Sequence, residues 1–202
     1  MSDEAAPRAG DRPDNEPTIG VYGLGRFGMF WAGLLATRFR VIASSRTQKE
    51  SLPAGVSFVP FESLFEADAI FLCVAISSLS SVLDNIAPHL SDRHVVFDTC
   101  SVKVYPTREM AARLPPGTSI IATHPMFGPD SARERTDRLP IITWPVRCAD
   151  ETYESWLARF DQIGMRVLEK SPEDHDREAA YTQGVTHYIG RLLSHMELPN
   201  SE

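Results

Sequence analysis

With 202 residues, 43% of them hydrophobic and 23% charged, the chain is ordinary globular material, long enough for one α/β domain and part of a second. A formal charge of −7 argues against a general nucleic-acid binder, which carries a basic face, so any anionic ligand must be met by locally gathered Arg or Lys. Cys73, Cys100 and Cys148 are odd in number and form no CxxC pair; neither a zinc knuckle nor a disulfide framework is indicated, and a reducing, cytoplasmic setting is expected.

Residues 1–17 are acidic, Pro-rich and almost free of large apolar side chains, and read as a disordered tail. They lack the features of a signal or transit peptide, and no apolar run in the chain approaches the ~18 residues of a membrane span. Thr18 to Tyr22 is a short apolar strand running into a Gly-rich turn. A helix is predicted from about Phe27 to Thr37, with Phe27, Phe30, Trp31, Leu34 and Leu35 inward. Strands follow at 40–45, 56–59 and 68–75, the last an unbroken apolar run of the kind buried on both faces. Leu79, Val82, Leu83, Ile86 and Leu90 recur at helical spacing. Three further strands are predicted at 94–99, 119–123 and 140–144. Tyr153, Trp156, Leu157 and Phe160 mark another helix, and 164–169 reads as a last strand. Strands alternating with helices imply a mostly parallel sheet with helices on both faces.

"SPED" (171–174) is a helix start, with Ser171 as N-cap, Pro172 at the first helical position and an acid three residues after the cap. One long helix is predicted from there to about Leu198. Val185, Tyr188, Ile189, Leu192, Leu193 and Met196 form its apolar stripe, and Gln183, His187, Arg191 and His195 recur at i, i+4 on another face. Such a helix needs something to pack against. A homodimer through it is expected, and residues 171–202 read as the start of a second, helical domain left incomplete.

Two stretches carry the chemistry. "GLGRFG" places glycines at 23, 25 and 28, between an apolar strand and an apolar-faced helix. That context turns a weak pattern into a dinucleotide-binding signature: one glycine for the tight turn, one for close approach of a pyrophosphate, one for close helix–strand packing. Residues 18–170 are therefore expected to form a Rossmann-type NAD(P)-binding domain. The second strand ends "ASSRT", where an NAD enzyme usually places an acid. With Ser44, Ser45, Arg46 and Thr47 there, nothing repels a 2′-phosphate and Arg46 can pair with one, so NADP is preferred over NAD. The cofactor-binding set is Gly23, Gly25, Arg26, Phe27, Gly28, Ser45, Arg46 and Val74. The second stretch, "THPMFGPDS" (123–131), fixes a histidine between Thr123 and Pro125 where an apolar strand ends, in what reads as a stiff loop.

"DTCSVKVYP" (98–106), "THPMFGPDS" and "EDHDREAAYTQGVTHYIGR" (173–191), in that order behind the Gly-rich turn, resemble the prephenate/arogenate dehydrogenase family of tyrosine biosynthesis. The wording is closest to the plant and cyanobacterial type, and the resemblance covers roughly residues 18 to 198. It implies oxidation of a small anionic cyclohexadienol: hydride passes to the nicotinamide, the hydroxyl proton to a histidine, and the ring carboxylate leaves as CO₂. The match implies His124 as that proton acceptor, Ser101 as the serine that hydrogen-bonds the same hydroxyl and the base, and His187 as a substrate contact. Lys103 either helps to hold the anionic substrate or is solvated, and Arg191 either faces the substrate carboxylates or is solvated. His175 is expected in the helix-start network rather than in the chemistry. His124, His175 and His187 do not show zincin spacing, and no metal is assigned. The family continues past the long helix, so the resemblance also implies a shortened C-terminal domain. The rival readings are a non-catalytic NADP-binding remnant or partner subunit, and a related dehydrogenase acting on another acid.

Overall fold

In the computed structural model, residues 16–132 and 138–196 are described. Eight described strands form one sheet: β1 (Thr18–Tyr22), β2 (Arg40–Ser44), β3 (Val56–Phe58), β4 (Ala69–Leu72), β5 (Val95–Asp98), β6 (Ser119–Pro125), β7 (Leu139–Arg147) and β8 (Met165–Glu169), in the order β3-β2-β1-β4-β5-β6-β7-β8. Neighbours are parallel throughout except β6 and β7, which run antiparallel. The helices are α1 (Arg26–Leu35), α2 (Leu79–Ile86), α3 (Val104–Arg113), α4 (Asp150–Gln162), α5 (Pro172–Ala179) and α6 (Val185–His195). The mostly parallel, Rossmann-type architecture expected from the alternation of elements is the one observed.

The central strands read as continuous apolar runs because both faces of the sheet are covered. Alternate residues of β4 and β5 serve opposite layers. Phe71 and Phe97 stack with ring centroids 4.3 Å apart, and Trp156 of α4 meets Phe97 edge-on at 4.8 Å. Trp31 of α1 completes that layer. On the other face Ile70, Leu72 and Val96 pack with Leu83 and Ile86 of α2 and Met110 of α3. Fully burying each such side chain is worth about 1.5–3 kcal/mol. Strand order reverses between β2-β1 and β4-β5, which opens a crevice beyond the C-terminal ends of β1 and β4, the usual ligand position in such sheets.

Several expectations need correction. β4 ends at Leu72, and Cys73 to Ala75 are already crevice wall. Helix α3 lies where periodicity marked none, because its buried face is only Pro106 and Met110. Of the expected disordered tail, only residues 16 and 17 are among the described residues, and Glu16 accepts from Arg38 (3.1 Å) and Arg159 (3.2 Å). The single long helix is two helices joined by a π-helical turn at Ala180–Gly184, so α5 and α6 do not share one register. Residues 197–198 of that expected helix lie outside the described residues. Its start is as predicted: Ser171 Oγ accepts from the Asp174 N–H at 3.2 Å and donates to Asp174 Oδ2 at 2.7 Å.

His124 does not sit in a loop. It is the sixth residue of β6, paired opposite Ile142 of β7. Local hydrophobicity ends at Ala122, but the antiparallel partner supplies hydrogen bonds that carry the strand on to Pro125.

Candidate active site

The Gly-rich turn is built for close approach. Gly23 has φ +102°, and its N–H donates to the Ser44 carbonyl at 2.9 Å, tying the ends of β1 and β2 together. A Cβ on Gly28 would lie 1.9 Å from the Gly23 carbonyl oxygen, so α1 reaches the turn only because residue 28 has no side chain. A Cβ on Gly25 would meet nothing within 4 Å; its Cα faces open space at the N-terminus of α1. Backbone N–H groups and the helix dipole there suit a pyrophosphate.

Two adjoining clefts run along this turn. One of about 490 Å³ is lined by Gly23, Gly25, Ser45, Arg46, Lys49 and Val74, among others. The next, about 390 Å³, is lined by Arg26, Phe27, Gly28, Thr99, Cys100 and Ser101, and shares Gly25, Cys73, Val74 and Ala75 with the first. All eight residues predicted to bind cofactor therefore line one continuous crevice. Arg46 and Lys49 are exposed there and make no ion pair among the described residues. Lys49 was missed, although a second cation three residues after Arg46 was a readable signal. The Arg26 guanidinium is engaged with Asp130 at 2.5 and 2.6 Å in a solvent-exposed pair.

Beside the crevice, β5 and β6 carry a buried polar cluster. The Asp98 carboxylate accepts from the Thr123 N–H (3.1 Å) and the Cys100 N–H (3.0 Å), and also takes the Lys103 ammonium. Lys103 Nζ donates to the Thr123 carbonyl at 2.5 Å. Asp98 and Lys103 are 0% and 1% exposed. The expectation that Lys103 is either solvated or a substrate cation is corrected: its ammonium is turned inward, where the desolvated charge of Asp98 requires it.

This cluster holds Thr123, and with it the next residue. His124 is 7% exposed, and its Nδ1 lies 2.8 Å from His175 Nε2. His175 Nδ1 lies 2.8 Å from Asp176 Oδ1. Asp176 in turn accepts from the Lys103 N–H (2.6 Å) and the Val104 N–H (2.9 Å), at the first turn of α3. Burial first, then the Lys103 charge and the neighbouring His175, lower the His124 pKa to about 3, against a smaller opposing effect of Asp176; the ring is neutral at pH 7. Burial opposes ionisation of Asp176, but its hydrogen bonds from Val104, His175 and Lys103 outweigh this and hold it below the usual carboxylate range. Burial pushes the Cys73 and Cys100 thiols up to about 12, which leaves them protonated and poor nucleophiles. A neutral imidazole keeps one ring lone pair free and is thus a group here able to accept a proton.

A family model described as prephenate dehydrogenase, nucleotide-binding domain, matches residues 41–139. Arogenate dehydrogenase 1, chloroplastic, of Arabidopsis thaliana is 34% identical over 195 residues, which is 91% of this chain. By these matches the chain is similar to the prephenate/arogenate dehydrogenase family. Arogenate dehydrogenase 2, chloroplastic, of the same plant is 33% identical over 87% of this chain. The crystal structure of Synechocystis arogenate dehydrogenase superposes with a TM-score of 0.66 at 28% identity, covering 81% of this chain and 63% of that one. The chain spans 30% and 52% of the length of the two plant relatives.

Against that family, the other expected site residues fall unevenly. Ser101 lines the crevice and is exposed, but no hydrogen bond joins it to His124. The partner of His124 is instead His175, expected only in the helix-start network; this is a correction, and its cause is the docking of α5 on the start of α3. His187 falls within α6, and its side chain lies outside the described residues. Arg191 is on α6 and exposed. Every described side chain of α6 is exposed, including Tyr188 (70%), Leu192 (51%) and Leu193 (46%). Among the described residues, no helix is long and apolar enough to cross a membrane.

Proposed function

We propose that the chain carries the NADP-binding and proton-accepting half of a prephenate or arogenate dehydrogenase. The observation that supports this best is a buried, neutral His124 on the strand next to β5, whose following residues Thr99 and Ser101 line a crevice formed on a dinucleotide-binding turn. Gly23, Gly25 and Gly28 fit a pyrophosphate, since only the face over Gly25 is left open. Arg46, with Ser45 and Lys49, suits a 2′-phosphate, and favours NADP over NAD. When bound, the nicotinamide supplies a hydride acceptor.

In this reading His124 accepts the proton of the ring hydroxyl as the carbon bearing it loses hydride. The C–O single bond becomes a carbonyl. The bond to the ring carboxylate then breaks, CO₂ leaves, and its electron pair aromatises the ring to a phenolate. The phenolate recovers the proton from His124, so histidine is regenerated and no net proton is released. In the same reading Ser101, which lines the crevice wall, hydrogen-bonds the hydroxyl. The substrate carboxylates require cations, and Arg191 with His187 on α6 are the candidates. The exposed apolar stripe of α6 suits a homodimer contact.

A second reading, a module that binds NADP and turns nothing over, draws on the complete exposure of the described α6 side chains. One experiment separates them. Protein is mixed with NADP⁺ and arogenate or prephenate in parallel, and reduced nicotinamide is followed by absorbance beside a His124→Asn control. Turnover abolished by the substitution establishes the dehydrogenase and names its substrate. Binding of NADP⁺ without turnover of either acid establishes the second reading.

A further inference from the structure

His175 and Asp176 have no assigned part in the reaction, yet His175 makes the one hydrogen bond to the His124 ring among the described residues, and Asp176 backs His175 in turn. We infer that Asp176 and His175 are positioning residues that fix the tautomer of His124, leaving Nε2 as the proton-accepting atom. This inference rests on His124 being the base.

The assignment follows from donor counting. The Asp176 carboxylate only accepts, and its two oxygens already take the N–H groups of Lys103 and Val104. His175 Nδ1, 2.8 Å from Oδ1, must therefore carry a proton. With one proton per ring, His175 Nε2 is then an acceptor. Its contact with His124 Nδ1 at 2.8 Å requires the proton on that Nδ1. The free lone pair of His124 is left on Nε2, the ring nitrogen with no hydrogen-bond partner among the described residues. When Nε2 gains the substrate proton, the positive charge spreads along Nδ1–H···Nε2 to a ring backed by a carboxylate. An imidazolium formed in a buried site is thereby stabilised only when it is needed.

The chain is also anchored at its far end. Asp176 caps α3, whose preceding residue Lys103 is locked to Asp98 and Thr123. The backbone that carries His124 and the carboxylate that orients it thus share one buried frame. A bare N-cap aspartate would not need an adjacent buried histidine: His175 is 3% exposed and directed at His124 rather than at solvent.

The test is long-range ¹H–¹⁵N NMR of the histidine rings at pH 8, which reads directly which nitrogen of each ring carries a proton. The His124 signals are assigned by their loss in His124→Asn. The expected spectrum has His124 protonated at Nδ1 in the wild type and in His175→Gln, whose amide oxygen still accepts. It shifts toward the Nε2–H form in His175→Leu and Asp176→Asn. A wild-type His124 protonated at Nε2, or a tautomer indifferent to His175→Leu, overturns the inference. Should His175→Leu fail to fold, the wild-type spectrum and His175→Gln decide. With substrate, kcat is expected to drop at least ~10-fold in His175→Leu, with KM little changed and His175→Gln restoring much of the rate, within the ~10²–10⁴ a general base supplies. Absence of turnover in the wild type would defeat the proposed function but leave the tautomer result standing.

Discussion

His124 Nδ1 and His175 Nε2 lie 2.8 Å apart although 51 residues separate them in the chain. One comes from a strand in the middle of the sheet, the other from the second turn of a helix outside it. Neither ring has any reason to be buried without the other, since each nitrogen taken from water needs a partner. The contact therefore joins the sheet to the start of the helical segment.

Replacing His124 with Asn is expected to leave nucleotide binding intact, because His124 lines neither cleft of the crevice. Turnover should fall by ~10²–10⁴, the usual share of a general base. Titration of NADPH fluorescence, run beside the rate assay, checks both halves; loss of binding together with rate would mean that the substitution disturbed the fold.

Acid should weaken the protein through the same residue. The folded-state pKa of His124 is depressed to about 3, below the ordinary value of about 6.5. Between those values the unfolded chain binds a proton that the folded chain resists, so stability falls as pH drops through about 6.5 toward 3 and is unaffected by this group above about 7. From pH 6.5 to 5 the loss attributable to His124 is at most about 2 kcal/mol. Urea unfolding at pH 7.5 and pH 5 should show a smaller pH difference in His124→Asn than in the wild type; equal differences would contradict the assignment.

Two glycine substitutions should behave differently for reasons visible in the turn. Gly28→Ala would place a Cβ 1.9 Å from the Gly23 carbonyl, and should cost about 1–3 kcal/mol of stability as well as nucleotide binding. Gly25→Ala meets no protein atom within 4 Å, so its melting temperature should be close to wild type while nucleotide affinity falls. Thermal melts paired with binding isotherms distinguish the two, and a stable Gly28→Ala would be the surprising result.

Lys103→Met should be among the most damaging substitutions outside the crevice. It strands a fully buried Asp98 without its cation, a change that typically costs about 3–5 kcal/mol. Urea denaturation measures it. A loss below about 1 kcal/mol would show that Asp98 is satisfied by the Thr123 and Cys100 N–H groups alone.

Cofactor preference should rest on the exposed pair Arg46 and Lys49. Arg46→Ala is expected to lower NADP⁺ affinity at least ~10-fold with NAD⁺ affinity nearly unchanged, since a charge-assisted hydrogen bond is worth about 1.5–3 kcal/mol. Parallel isotherms for the two nucleotides check it; equal losses would place Arg46 on the pyrophosphate instead.

The mostly parallel sheet and the Gly-rich turn are legible from local residue patterns alone. β4 lies in an unbroken apolar run, a pattern typical of strands covered on both faces, and the spacing of Gly23, Gly25 and Gly28 is a local steric requirement that any reader can count. The start of α5 was legible for the same reason: Ser171, Pro172 and Asp174 act within one turn. Everything that depends on partners far along the chain emerges only on folding. His124 belongs to a strand because β7 pairs with it, not because its neighbours are apolar. Lys103 is buried because Asp98 and the Thr123 carbonyl, from two different strands, meet at its ammonium. His175 serves His124 because α5 docks on the first turn of α3, and its own surroundings in sequence, all polar, describe an ordinary helix start. Local patterns report which backbone state is cheap; they do not report which buried polar groups will find each other, since that is fixed by the pairing that folding creates.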